Sequence, residues 1–86
     1  MRLDKYVFDF IKYLECNRNM SLHTLRNYSL DLLKFTKYLS HTVPDKTRLR
    51  LYIAFLHEQH LSKRTILRHL SAIRSFFKFL QKTHVI

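Results

Sequence analysis

The chain contains no glycine and a single proline, Pro44. Walker-type loops and GxGxxG dinucleotide turns need glycine where the backbone closes on phosphate, so neither can form. Tight hairpins with positive φ lose their usual residue as well. Cys16 is the only cysteine, which excludes an internal disulfide and fits a reducing compartment. Acids are scarce: six Asp and Glu stand against sixteen Lys and Arg, for a formal net charge of +10. Long apolar runs are missing too. The longest, LYIAFL at 51–56, is far short of a membrane span. The opening MRLDKYVFDF alternates charge with hydrophobic residues and holds no continuous signal-peptide core. These absences argue against a nucleotide-binding enzyme and a membrane-spanning protein, and for a soluble cytoplasmic one.

What is present is enough for one core. Eighty-six residues support a single domain, 1–86, and 47% of them are hydrophobic, with seven Phe and five Tyr. The positive charge is uneven. Residues 1–43 hold seven bases and four acids, and 44–86 hold nine and two. From Gln59 onward there are six bases and no acid. A small domain with such a directional excess attracts polyanions, either nucleic acid or an anionic membrane surface.

Apolar spacing predicts four helices and no strand. The first covers about 3–16, with Asp4 as cap and Val7, Phe10, Ile11 and Leu14 inward. NRNM breaks it. The second covers 22–39, capped by Ser21, with Leu25, Tyr28, Leu32, Phe35 and Leu39 inward. SHTVPDK ends it. The third covers about 47–59 and buries Leu49, Tyr52, Ile53 and Leu56. The fourth covers 63–82, capped by Ser62, with Ile66, Leu70, Ile73, Phe77 and Leu80 inward. The second and fourth begin alike: Met20-Ser21-x-x-Thr24-Leu25 and Leu61-Ser62-x-x-Thr65-Ile66 match at an offset of 41 residues. Each places an apolar residue before a serine cap, as in a hydrophobic staple. The spacing gives an all-α bundle of two helical hairpins, whichever of duplication or convergence produced the match.

The fourth helix carries the strongest functional signal. Arg64, Arg68, Ser71, Ser75, Lys78 and Lys82 fall within roughly 80° on a helical wheel. No acid on the helix neutralises them, whereas ordinary solvated faces mix signs in i,i+4 pairs. The helix forms a rod about 28 Å long that suits a DNA major groove. His23, Arg26, Asn27, Leu30, Lys34 and Lys37 lie away from the apolar stripe of the second helix. Asn27 offers a donor and acceptor pair suited to adenine, and His23 and Thr24 lie in the first turn, near the positive dipole end. Leu30, Leu67 and Phe79 fall outside the core stripes and hint weakly at protein contacts.

These residues resemble a family. SLHTLRNYSLDLLKF, from Ser21 to Phe35, is similar to the opening helix signature of the N-terminal domain of tyrosine recombinases (phage integrases). LSKRTILRHLSAIRSFFKFL, from Leu61 to Leu80, is similar to that domain's last helix. A Tyr52-Ile-Ala-x-Leu56 helix stands between them, and the likeness runs over about 3–82, strongest to Xer recombinases. It implies a SAM-like bundle that forms half of a clamp around double-stranded DNA, for DNA integration or chromosome-dimer resolution in the bacterial cytoplasm, at the nucleoid. The DNA contacts it implies are His23, Thr24, Arg26 and Asn27, then Lys63, Arg64 and Arg68, with Arg74 serving phosphate; the charged face adds Lys78. The partners it implies are a separate C-terminal catalytic domain and other protomers in a tetrameric synapse, the isolated domain being a monomer.

The chain itself carries no sign of catalysis. The tyrosines Tyr6, Tyr13, Tyr28, Tyr38 and Tyr52 all fall in helices, with Tyr28 and Tyr52 inward. None shows a base or cationic clamp beside it in sequence. The acids form no obvious metal or acid/base pair, and His57 and His60, at i,i+3, lack a third zinc ligand. No cofactor and no metal are expected. Two other readings stand beside the recombinase one: a stand-alone helical DNA-binding or regulatory module, which needs the same basic faces, and a basic amphipathic membrane-surface protein, which the capped four-helix pattern opposes.

Overall fold

The computed structural model describes residues 3–40 and 45–85, and Pro44 lies outside them. The described residues fold into four helices: α1 (Asp4–Asn17), α2 (Leu22–Leu39), α3 (Lys46–Glu58) and α4 (Lys63–Lys82). The all-α expectation holds, with α2 and α4 at the expected bounds. Ser21 and Ser62 cap these two helices in the same way. Each serine Oγ accepts from the backbone N–H three residues on, at 3.2 Å from Thr24 and 3.1 Å from Thr65. Each serine hydroxyl also donates to that threonine's Oγ1 at 2.9 Å. The repeat in sequence is therefore a repeat in local structure. Asp45, not identified from the sequence, caps α3 by accepting from the Arg48 N–H at 2.8 Å. Leu3 takes the cap position of α1 with no side-chain bond, and Asp4 falls in the first turn, favourable to the helix dipole.

The absence of glycine shows at the helix ends. Asn19, Ser40, His60 and His84 take positive φ there, where glycine is the usual choice. Such conformations cost a non-glycine residue about 1–2 kcal/mol each, so the surrounding packing must hold them.

Packing explains which residues face inward. The Phe10 ring of α1 packs tilted at 5.5 Å from Phe76 and 5.3 Å from Phe79. Tyr13 lies 5.3 Å from Phe79, so α1 and α4 run parallel. Phe35 of α2 meets Tyr52 of α3 edge-on at 5.0 Å. α4 touches all three other helices, and this widens its buried face. Ile66, His69, Ala72, Ile73, Phe76 and Leu80 are buried, while Leu70 and Phe77 are only half-buried. The inward direction is turned about 55° from the expected stripe, toward α1 and α2. Phe79, expected outside the core, packs on α1; Leu30 and Leu67 remain exposed as expected.

Candidate nucleic-acid interface

α2 and α4 lie antiparallel. The Tyr28 hydroxyl is 3.2 Å from Ser71 Oγ, and Asp31 pairs with Arg68, so an advance along one helix is a retreat along the other. Their capped N-termini therefore point to opposite ends of the molecule. This separates the expected contacts. His23, Thr24, Arg26 and Asn27 belong to one end of the helix pair, where Met20 and Tyr28 share a cleft with Lys78. Lys63 and Arg64 belong to the other end. Arg68 lies between, and Arg74 faces the α3 side, beside Lys46 and Arg50. His23, Arg26, Lys63, Arg64, Arg74 and Lys78 are exposed, and Thr24, Asn27 and Arg68 are half-buried.

Arg68 is already engaged. Its Nε donates to Asp31 Oδ2 at 2.7 Å and its Nη2 to Oδ1 at 2.9 Å, a bidentate fork. Those hydrogen bonds raise the guanidinium's pKa and hold it charged. Asp31 is buried, and it is the sole acid of α2 and α4. Its Oδ1 also lies 3.2 Å from His69 Nε2, and His69 Nδ1 is 3.1 Å from the Tyr52 hydroxyl. Burial pushes the Tyr52 phenol well above its ordinary pKa, with Asp31 acting the same way, so the hydroxyl stays protonated and donates to Nδ1. Burial lowers the His69 pKa, with Arg68 and Lys34 acting alike and Asp31 opposing. The imidazole is thus neutral, with its proton on Nε2 toward the carboxylate. This chain of four side chains ties α2, α3 and α4 together beneath the basic surface. In sequence the one signal that could have found it is Asp31, the lone acid of these two basic helices.

Two further contacts bear on the expected site. Asn27 Nδ2 is 3.4 Å from His23 Nε2, so the Asn27 amide donates toward the ring nitrogen and the pair is organised in advance. Tyr13 does have cationic neighbours, contrary to expectation. Lys82 lowers its pKa by hydrogen bonding and charge, and Arg18 adds to this. Parallel packing of α1 on α4 brings Lys82 to Tyr13, a proximity no linear spacing displays, while Arg18 follows Tyr13 by five residues at the end of α1. Among the described residues, no three His, Cys, Asp or Glu side chains come together, and no helix is long and apolar enough to cross a membrane.

Comparison with known proteins settles the lineage. Residues 7–84 match the model of the phage integrase N-terminal SAM-like domain. The chain belongs to that family. Among its relatives, the tyrosine recombinase XerC of Syntrophus aciditrophicus is 33% identical over 93% of this chain and 30% of its own length. XerC of Halalkalibacterium halodurans is 36% identical over 90% of this chain and 27% of its own. For XerC of Chlamydia trachomatis serovar L2 the identity is 36%, over 92% and 33%. The chain thus spans about a third or less of the curated relatives it matches. No solved structure matches it. In this integrase domain, the 41-residue repeat builds the two capped helices of the basic surface.

Proposed function

We propose that this integrase N-terminal domain grips double-stranded DNA through the surface formed by α2 and α4. It serves as half of the clamp of a Xer-like site-specific recombinase, in the cytoplasm. One observation carries the reading: nine bases lie on these two adjacent helices, and their single acid is buried in the seam. A surface of this kind, left without counter-charge, matches a phosphate backbone and gives salt-dependent association. Asn27, held by His23, is the side chain best disposed toward a base edge, and Arg64 clamps a phosphate. Lys63, Lys78, Arg26 and Arg74 serve phosphates, and Arg68 holds Asp31 while presenting its remaining N–H groups outward.

Catalysis belongs to a separate C-terminal domain in this reading, and other protomers complete a tetrameric synapse. The experiment is fluorescence anisotropy with duplex DNA over a salt series. Arg64→Gln and Lys78→Gln each weaken binding and flatten the slope of log K against log salt by about 0.9. The pair Lys5→Gln and Lys12→Gln on α1 leaves both unchanged. The reverse pattern would move the interface to α1 and reject the α2/α4 surface.

A further inference from the structure

A cleft of about 330 Å³ opens where the ends of α1 and α4 meet the start of α2. Phe10 and Leu14 form a buried floor, and Tyr13, Tyr28 and Phe79 stand half-buried around it. Arg18, Lys78 and Lys82 converge on its rim, and no acid lines it. The Lys82 ammonium also sits 5.5 Å from the centre of the Tyr13 ring. Three like charges around one cleft repel one another, and an anion relieves that repulsion.

We propose that this cleft binds one nucleotide of a nucleic-acid strand, its phosphate on the three cations and its base against the aromatic walls. The choice of nucleic acid as ligand rests on the reading of the adjoining α2/α4 surface. The cleft adds what that surface lacks, flat aromatic walls next to positive charge, the combination that takes an unstacked base. Its size is at the small end for ligand sites and suits a single nucleotide better than a run of peptide. Fourteen residues separate Arg64 from Lys78, about 21 Å along the helix, more than the width of one major groove. The cleft therefore meets a different stretch of strand from the one under Arg64. The Tyr13 hydroxyl, made more acidic by Lys82 and Arg18, is a strengthened donor for a phosphate oxygen.

The test is NMR titration of the labelled chain with thymidine 3′,5′-bisphosphate. Saturable shifts are expected at the amides of Arg18, Ser75, Lys78 and Lys82 and at the Tyr13 and Phe79 rings. Bound phosphate raises the Tyr13 pKa by cancelling its cationic neighbours. The double variant Arg18→Gln/Lys82→Gln loses affinity at least tenfold, in line with the loss of charge-assisted bonds. Absence of saturable shifts overturns the proposal and leaves these cations as partners of the α1 and α4 C-terminal dipoles. An equal response to inorganic phosphate, or to a triglutamate peptide, overturns the nucleotide assignment. Duplex DNA is followed separately at His23, Arg26 and Arg64. Loss of those shifts with nucleotide binding intact would reject the groove reading and spare the cleft.

Discussion

Arg68 shows how far one side chain's role depends on what lies beneath it. In sequence it is one more base on a charged face, and its removal would be expected to affect DNA alone. In the fold its fork closes on a buried carboxylate, and removing either partner leaves the other uncompensated. Asp31→Ala should cost about 3–5 kcal/mol. Arg68→Ala should cost less, about 1–3 kcal/mol, because the Arg68 side chain is 38% exposed and water partly replaces it. Urea unfolding of both variants checks the order, and a neutral Arg68→Ala would show that the fork adds nothing to the fold. His69 supplies a pH test in the same network. Its folded pKa is lowered, chiefly by burial, so the unfolded chain binds the proton more readily. Stability should therefore hold above the ordinary histidine value of about 6.5 and fall as pH drops below it, by up to about 1.4 kcal/mol per pH unit. His69→Gln should flatten that fall. An unchanged slope in the variant would assign the acid sensitivity elsewhere.

At the scale of the helix, the centre of the buried face decides which phenylalanine matters. A wheel drawn for α4 alone points Phe77 inward, but contact with three neighbours turns the helix so that Phe76 is fully buried. Phe76→Ala should cost about 3–5 kcal/mol by opening a cavity beside Phe10. Phe77→Ala should cost roughly half as much, since Phe77 is half-buried and keeps one ring neighbour, Phe35, at 5.9 Å. Thermal melts of the two variants settle the orientation, and a larger loss at Phe77 would restore the simple wheel. Helix existence, bounds and the serine caps of α2 and α4 were legible because they depend on neighbours within a few residues in the chain. The rotation of α4, the Asp31 fork and the approach of Lys82 to Tyr13 were not, because each depends on contacts between different helices, 37 positions apart for the fork and 69 for Lys82. Of the site, the basic identity of the surface could be read directly. Its division into two ends could not, since helix direction is a tertiary property.

For the molecule as a whole, the proposed grip on DNA depends in its strength on the antiparallel arrangement of α2 and α4. Charge is spread along a surface about as long as α4, so only part of it meets phosphates at once. With Arg68 partly committed to Asp31, four to six phosphates is a reasonable count, drawn from Arg26, Lys63, Arg64, Arg74, Lys78 and the free edge of Arg68. At about −0.9 per phosphate, log K should fall with log salt at a slope of −4 to −5. Affinity for duplex should be only micromolar near physiological salt, the range of nonspecific binding. Joining a catalytic half that grips the same site should tighten it through effective concentration, without any new contact by this domain. Anisotropy across a salt series measures the slope, and a plasmid-nicking assay on the same protein checks for chemistry. A slope near zero would overturn the electrostatic account. A covalent protein–DNA product would direct attention to Tyr13, the tyrosine whose hydroxyl the fold sets beside two cations.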